Sequence, residues 1–466
     1  MPADLHCLST FVLLEQGRWF EKEIDFIYRY AVAGMTALDI GANIGAYTLP
    51  LAQLVGPNGE VVAYEPGAVS RGHLERSLAM NHCDNVTVSA AAVSDNAGTG
   101  WLKNDGFAEF GQLVALPDGT ETVEAVQVTT LDLELDRFNW PQVDFLKIDA
   151  EGQETAIVKG GQRFFERYSP LVLFEINHDS VVDHGLIEVM QSLGFDTYRL
   201  LGDATMLVPA EHMEKMDRFE LNLFGARPEQ ASRLAARGLL AHPGALPDLS
   251  DTERGQALAS YLALPFARAF EIGATDIEEC PFGEALVSYS AYRFLSPLSP
   301  DRRFALLQRA YEQLASYCET CHSAAALSSL ARVAHDLGHR GIAVEVLEYI
   351  LETESVDPDQ PFFPPSPQFD DDEQAAADGW FTHAAKDVLD GRRQLSSCCS
   401  NDMSLLEWLA AQEAASDSVL KRLILIRLFF GGPADQVHHL LAQLQARLDG
   451  GHSAWRDTVQ SLMENR

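Results

Sequence analysis

The spacing of hydrophobic and polar positions changes part-way along the chain. Between Met35 and about Val208, short apolar runs rich in β-branched residues alternate with stretches whose apolar positions have helical spacing. This alternation is typical of βα units, so it predicts an α/β fold with a mostly parallel, Rossmann-like sheet and helices on both faces. The strand candidates are Ala37–Ile40, Val61–Tyr64, Val86–Ala90, Val143–Ile148 and Leu171–Ile176.

Two other segments add strands to this plan. Thr197–Leu200 and Met206–Val208 are separated by a Gly-Asp turn, which predicts an antiparallel pair that completes the edge of the sheet. The segment Gly98–Val128 holds short β-like pieces broken by Gly, Asp and Pro. We expect it to form a strand-and-loop excursion whose loops could cover a substrate site.

The second half of the chain is predicted to be helical. Beyond about Pro228, long stretches rich in Ala, Leu, Arg and Glu have a 3.6-residue period. The sequence therefore predicts an α/β domain over residues 1–228, with N-terminal helices over about 1–34, and an α-helical accessory domain over 229–466. A Pro- and Asp-rich segment at about 357–372 cannot continue a helix and is predicted to be an exposed connector or lid.

Helical spacing on both sides of Gly338 predicts a helix–turn–helix unit that resembles a degenerate tetratricopeptide repeat. A single copy is visible, so a helical bundle and a short solenoid are both open.

Composition and charge narrow the function classes. Lys and Arg total 34 against 68 for Asp and Glu, a formal net charge of -34, which argues against nucleic acid and anionic membrane surfaces as partners. No window approaches the ~18 apolar residues of a membrane-spanning helix, and from the first residues of the sequence we expect no export. The seven cysteines fit a reducing compartment, so we expect a cytoplasmic protein.

The strongest chemical signal is the turn after the first predicted strand, which contains Asp39, Gly41, Asn43 and Gly45. Gly41 supplies unusual backbone angles and room for a ligand, and Gly45 lets the next helix pack closely on the strand. Asn43 stands where a dinucleotide fingerprint has glycine, so a pyrophosphate fits poorly. The pattern favours S-adenosylmethionine, which has no phosphate and needs hydrogen-bond partners for its amino acid moiety.

The other strand ends carry polar residues as well. Glu65 follows the second strand, where a carboxylate can bind a ribose diol, and Ala91–Asp95 follows the third, where small and polar residues suit an adenine. Ligands of open α/β sheets bind beyond the carboxyl ends of the strands. Four titratable residues at the ends of the fourth and fifth strands should therefore face a reaction cleft: Asp149, Glu151, Glu175 and His178.

The ordered motifs DIGANIGAYT, YEP, LKIDAEGQE and FEIN resemble the FkbM family of methyltransferases, from about Ala37 to Phe224. The resemblance implies a class I methyltransferase fold and O-methylation, often of sugars, glycan ends or polyketide-like products. It does not extend to the helical half. The predicted cofactor-binding residues are Asp39, Gly41, Ala42, Asn43, Gly45, Tyr47, Glu65, Pro66, Val93, Ser94 and Asp149.

Methyl transfer to a hydroxyl needs an aligned acceptor and removal of one proton. We assign the base to Asp149 or His178, with Glu151 and Glu175 orienting the acceptor. In an alternative, Asp149 and Glu175 share a divalent ion such as magnesium, which would acidify the hydroxyl. We expect a small-molecule or saccharide acceptor, and the helical domain could bind a protein partner.

Competing interpretations remain open. The chain could be a methyltransferase-like scaffold that acts through its helical domain, or a nicotinamide-dependent oxidoreductase, which Asn43 disfavours. Lys147 is expected to pair with a carboxylate or reach the surface. Cysteines at 318, 321, 398 and 399 invite a zinc interpretation, although buried free cysteine is the commoner explanation.

Overall fold

The computed structural model describes most of the chain. It leaves out residues 1–3, 105–110, 115–122, 179–180, 183, 203–204, 211–216, 245–247, 354–357, 401, 413–414, 448–454, 456 and 461–466. The strands are β1 (Thr36–Ile40), β2 (Glu60–Tyr64), β3 (Val86–Ser89), β4 (Ala92–Val93), β5 (Gly98–Asn104), β6 (Gly111–Val114), β7 (Val123–Thr129), β8 (Phe145–Ile148), β9 (Leu171–Glu175), β10 (Asn177–His178), β11 (Val181–Val182), β12 (Asp196–Leu200), β13 (Leu207–Pro209) and β14 (Asn222–Ala226).

The helices lie between and after these strands. In chain order they are α1 (Leu8–Gln16), α2 (Glu23–Tyr30), α3 (Thr48–Val55), α4 (Ala68–Met80), α5 (Leu131–Phe138), α6 (Glu154–Lys159), α7 (Gln162–Arg167), α8 (His184–Ser192), α9 (Pro228–Ala236), α10 (Asp251–Leu262), α11 (Pro265–Ala269), α12 (Ala274–Glu279), α13 (Gly283–Phe294), α14 (Pro300–Cys318), α15 (Ala324–Leu337), α16 (Arg340–Glu352), α17 (Trp380–Arg392), α18 (Ser404–Ala410), α19 (Asp417–Phe429) and α20 (Ala434–Arg447). None of these described helices combines the length and apolar character needed to cross a membrane.

An eight-stranded sheet organises the first half of the chain, in the order β13-β12-β14-β9-β8-β1-β2-β3. The five strands from β9 to β3 are parallel, as the sequence predicted, and β12 and β13 form the predicted antiparallel pair at the edge. The strand β14 was not predicted. It inserts antiparallel between β9 and β12, and its five residues are all buried.

Successive strand residues point to opposite faces of the sheet, and each face packs on helices. On one face, Leu38 and Ile40 of β1 share a core with α5 to α8. On the other face, Ala37 packs with residues of α2, α3 and α9. The predicted Rossmann-like architecture with helices on both faces is confirmed.

The excursion after β3 forms a second sheet, in the order β4-β7-β5-β6. Gly111 and Leu113 of β6 and Leu102 of β5 line the cavity described below. This small sheet therefore lies beside the carboxyl ends of the main strands, as expected of a segment that covers a site.

The second half is helical, and consecutive helices from α13 to α20 pack on their neighbours along the chain. The predicted helix–turn–helix unit is α15 and α16, joined at Gly338 with a φ of 97°. The expectation of an exposed connector is wrong for residues 361–365, which are buried, with Phe362 and Phe363 inside the helical core. Their ring contacts with neighbouring aromatic residues account for this burial.

Contacts of two helices cross the predicted domain boundary. The N-terminal α1 packs against α19, so that Phe11 and Leu14 belong to a core formed by the last helices of the chain. Conversely, Ala231 and Leu234 of α9 pack on the main sheet. The boundary between residues 228 and 229 therefore stays a prediction.

Candidate active site

A cavity with an empty volume of about 950 Å³, open to solvent, lies at the carboxyl ends of β1, β2 and β8. Parallel strands bring their carboxyl ends to the same edge, which explains why residues distant in sequence meet there. The predicted site residues that line the cavity are Asp39, Gly41, Ala42, Asn43, Tyr47, Glu65, Pro66, Val93, Asp149 and Glu151.

Four other predicted residues lie outside that lining. Gly45 packs against α4, where an added Cβ would lie 2.8 Å from Leu74 Cδ1. The hydroxyl of Ser94 donates to Gln153 Oε1 at 3.0 Å, and Gln153 itself lines the cavity. The backbone of His178 lies in β10, but its side chain falls outside the described part of the chain. Glu175, the fourth, is treated separately below.

The turn after β1 has the unusual backbone that its glycine predicted. Gly41 has a φ of 81°, and Asn43 also has a positive φ, of 48°. A Cβ on Gly41 would lie 1.6 Å from the backbone oxygen of Asp149. Gly41 is therefore required mainly because the loops after β1 and β8 approach each other closely at this position. The room that it gives a ligand is a second reason.

Asn43 and Glu65 join the turn to the end of β2. The backbone N–H of Asn43 donates to Glu65 Oε2 at 2.8 Å, and the N–H of Gly67 donates to Oε1 at 2.8 Å. Burial raises the pKa of Glu65 from 4.5 to about 7, and these two bonds oppose the shift. Each carboxylate oxygen keeps acceptor capacity for a hydroxyl donor.

Lys147 lies at the centre of the charged groups. Asp39 and Lys147 are register partners in β1 and β8, and Asp149 is two residues further along the same face. Nζ of Lys147 is 2.8 Å from Asp149 Oδ2 and 3.7 Å from Asp39 Oδ1, and it also donates to the carbonyl of Gly41. The expectation that Lys147 pairs with a carboxylate is confirmed.

Burial and the neighbouring charges act in opposite directions on the pKa values of Lys147 and Asp39. Burial alone would lower the pKa of Lys147, but Asp149 and Asp39 raise it above its ordinary value, so the ammonium is charged. Burial raises the pKa of Asp39, which Lys147 and the donating hydroxyl of Thr48 partly offset. The Asp149 side chain is 30% exposed, so it is the most accessible of the three side chains from the cavity.

Glu175 lies at the end of β9, behind Asp149. Burial and then the charges of Asp149 and Glu151 raise its pKa to about 11, and its side chain is hydrogen-bonded to Asp149. At neutral pH Glu175 is therefore a neutral acid that shares its proton with Asp149. The Asp149 carboxylate is therefore bonded to Glu175 as well as to Lys147.

Sequence reasoning missed Trp19 and Glu21, which line the cavity from the link between α1 and α2. The hydroxyl of Tyr47 donates to Glu21 Oε2, and Asn222 Nδ2 donates to the same oxygen at 3.4 Å. Burial and the nearby Asp149 raise the pKa of Glu21. The link carries no recognisable motif, and only the position of α1 on the folded chain brings it to the site.

The charged residues that line the cavity favour the binding of a cationic ligand. Among the described lining residues there are five carboxyl groups and one ammonium group, that of Lys147. Oδ1 of Asn43 is buried and has no hydrogen-bond partner among the described residues, so it can accept from a bound ligand. In the part of the chain that the structure describes, no group of three or more His, Cys, Asp or Glu could hold a metal ion.

The sheet order and the position of this cavity are those of a Rossmann-like α/β protein that binds its ligand beyond the carboxyl ends of the strands. Residues 39–197 match the family described as the methyltransferase FkbM domain. The match confirms the resemblance that the four motifs carry. The match ends before the helical half.

One named relative and two solved structures are similar to parts of this chain. Methyltransferase sdnD of Sordaria araneosa is 26% identical over 223 residues, which cover 40% of this chain and 84% of that protein. Methyltransferase FkbM of Methylobacillus flagellatus has 17% identity and a TM-score of 0.29, covering 41% of this chain and 43% of that chain. A SAM-dependent O-methyltransferase of Thermotoga maritima has 17% identity and a TM-score of 0.26, covering 44% and 64%. The chain thus spans less than two thirds of either solved structure.

Proposed function

We propose that this protein is an S-adenosylmethionine-dependent methyltransferase that methylates a hydroxyl of a saccharide, a glycan or a related metabolite. The observation that supports the cofactor best is the acidic cavity around Asp39, Glu65 and Asp149, which suits a sulfonium cation. The same five carboxyl groups would repel the pyrophosphate of a nicotinamide dinucleotide. Together with Asn43, this repulsion disfavours a nicotinamide-dependent oxidoreductase.

The cofactor residues divide by the part of the ligand they suit. The buried Oδ1 of Asn43 offers an acceptor for an ammonium group, and Glu65 offers its remaining lone pairs to ribose hydroxyls. Val93 and the neighbouring Ala92 give an apolar wall suited to an adenine. When bound, S-adenosylmethionine supplies an electrophilic methyl group.

Asp149 is the leading candidate for the base, because it faces the cavity and is held between Lys147 and Glu175. Glu151 lies two residues further on, with a positive φ of 51° that turns the loop at the cavity edge. We assign it and Glu175 to orientation of the acceptor. His178 stays the second candidate base, and a metal ion shared by Asp149 and Glu175 stays an alternative.

Calorimetric titration tests the cofactor. We expect saturable binding of S-adenosylmethionine, its loss in Asp39→Ala, and no binding of NAD. Absence of binding by the folded wild-type chain would favour the scaffold interpretation.

Labelled cofactor and cell extract would then identify the acceptor, which we expect to be a saccharide or glycosylated carrier. We also expect a cytoplasmic location, from the cysteine content.

Substitution tests the base. If Asp149→Asn and His178→Ala each leave turnover unchanged, neither residue removes the proton. Turnover that survives exhaustive chelation would exclude the metal alternative. We also propose a protein partner for the helical domain. Co-purification of partners with this chain tests it, in the presence and in the absence of a competitor for α13 to α20.

A further inference from the structure

A second cavity lies between the main sheet and the helical half, and we name it the junction cavity. Its narrower part has an empty volume of about 640 Å³ and is lined by residues 20–23, 200–202 and 219–222 together with His335, Gly338, Arg340 and Leu395. A wider space adjoins it, because the two share Lys22, His335 and Arg340, and further basic residues line that space, Arg392 among them. Glu21 lines both the junction cavity and the candidate active site.

Three cations of the junction cavity have carbonyl groups as their hydrogen-bond partners. Lys22 Nζ donates to Gly202 O at 2.7 Å, and Arg340 donates to the carbonyls of Arg392 and Gln394 at 2.7 and 2.6 Å. Arg392, only 7% exposed, donates to Ala331 O at 3.4 Å. Among the described residues, none of these three cations has a carboxylate within 4.0 Å.

A cluster of this kind is costly, because buried charges with no counter-charge in direct contact lose hydration and repel one another. Burial lowers the pKa of Lys22, and the nearby Arg340 and Arg392 lower it further. Burial also lowers the pKa of Arg392 to about 9 and that of Arg340 to about 10. His335 belongs to the same wall, and its Nδ1 is buried without a hydrogen-bond partner in the described structure.

The carboxyl groups nearby offset the charge of the cluster only in part. Burial raises the pKa of Glu23 to about 8 and that of Glu220 to about 7, so the sheet side of the cavity is close to neutral. Burial outweighs Asp336, whose charge raises the pKa of Lys22 and Arg392, and outweighs Asp217, whose charge raises that of Arg340. Both carboxylates are bonded elsewhere, Asp336 to the hydroxyl of Tyr289 and Asp217 to the backbone N–H of Gly341. In a chain with a net charge of -34, three cations gathered in one cavity stand out against the average field.

We propose that the junction cavity binds a phosphate or diphosphate group through Lys22, Arg340 and Arg392. Guanidinium groups match phosphate oxygens with paired donors, and a lysine adds a point charge. Two sources of this chemistry exist, a free inorganic anion and the phosphate of a larger metabolite. Because Glu21 connects the cavity to the candidate active site, a larger metabolite could reach from one to the other.

Titration with inorganic pyrophosphate, followed by calorimetry, tests the site without using methyl transfer. We expect one saturable site per wild-type chain and at least about tenfold weaker binding in Lys22→Gln and Arg340→Gln, the loss of one charge-assisted bond. Arg227→Gln is the matched control. Arg227 also donates to a carbonyl, that of Leu193, and lies 4.7 Å over an aromatic ring, as Arg340 does, but it lines neither part of the cavity.

The control should bind pyrophosphate within about twofold of the wild type. No saturable binding by the wild-type chain, or an equal loss in Arg227→Gln, would overturn the proposal. If Arg340→Gln fails to fold in thermal melts, Lys22→Gln carries the test, because Lys22 is half-buried with one carbonyl partner. A second titration with a uridine diphosphate hexose separates the sources: tighter binding than pyrophosphate assigns the site to a larger metabolite, and equal binding to the free anion.

Discussion

Nζ of Lys147 lies 2.8 Å from Oδ2 of Asp149, and both side chains leave the same face of one strand end. The pair would be a surface salt bridge of little energetic value if it were exposed. Here the lysine side chain is 5% exposed, and the fully buried Asp39 lies on its other side. Lys147 is therefore the counter-charge of both Asp39 and Asp149.

Lys147→Met tests this role, because it keeps the length of the side chain and removes the charge. We expect a loss of about 3–5 kcal/mol in the free energy of unfolding, since a buried carboxylate loses its counter-charge. Urea denaturation measures it. The double variant Lys147→Met with Asp39→Asn should regain much of the loss, and a single-variant loss below about 1 kcal/mol would contradict the assignment.

Glu175 gives a prediction about pH. Its pKa is raised from 4.5 to about 11 in the folded chain, so the folded state holds a proton that the unfolded chain releases above 4.5. Its contribution to stability is therefore complete below pH 4.5 and is lost as the pH rises towards 11. Glu175→Gln keeps a donor towards Asp149 and removes this titration. Relative to the wild type, the variant should gain stability from pH 5 to pH 8, by at most about 1.4 kcal/mol per pH unit.

Urea denaturation at both pH values measures this difference, with Glu175→Ala as the control. The alanine variant lacks the donor, so it should be less stable than Glu175→Gln at both pH values. A constant difference between wild type and Glu175→Gln would mean that Glu175 ionises normally in the folded chain.

The sheet was largely predictable because its strands are buried on both faces and read as apolar runs separated by turns. The strand β14 escaped prediction although it is wholly buried. Its short run directly precedes the helix that starts at Pro228, so the change to helical spacing obscured it. The buried segment at 361–365 was also missed, since proline content predicts a break in the helix but does not reveal that aromatic side chains will bury it.

At the site, the residues that follow strands were predictable, because the topology fixes where strand ends meet. Glu21 was not, since it depends on a helix from the start of the chain packing on helices from its end. The direction of the Glu175 pKa shift was also outside the reach of sequence, because it arises from burial and from two neighbours that only the fold brings together.

Glu65 predicts a pH dependence of cofactor affinity. Its pKa of about 7 means that it is mostly ionised at pH 8 and mostly protonated at pH 6. An ionised carboxylate accepts two hydroxyl donors, so the dissociation constant for S-adenosylmethionine should rise up to about tenfold from pH 8 to pH 6. Calorimetric titration measures it. Glu65→Gln should bind at least about tenfold more weakly at pH 8 and depend little on pH, and an unchanged affinity would remove Glu65 from the cofactor site.

Gly41 gives a prediction that separates a steric collision from backbone strain. Gly41→Ala would place a Cβ 1.6 Å from the Asp149 carbonyl oxygen, so the β1 and β8 loops must move apart. Gly34 has a similar positive φ, of 90°, with nothing within 4 Å of an added Cβ. Gly34→Ala should cost about 1–2 kcal/mol of strain, whereas Gly41→Ala should exceed that cost by at least about 2 kcal/mol and abolish cofactor binding. Thermal and urea melts of both variants measure the difference, and equal losses would show that the loops of β1 and β8 tolerate separation.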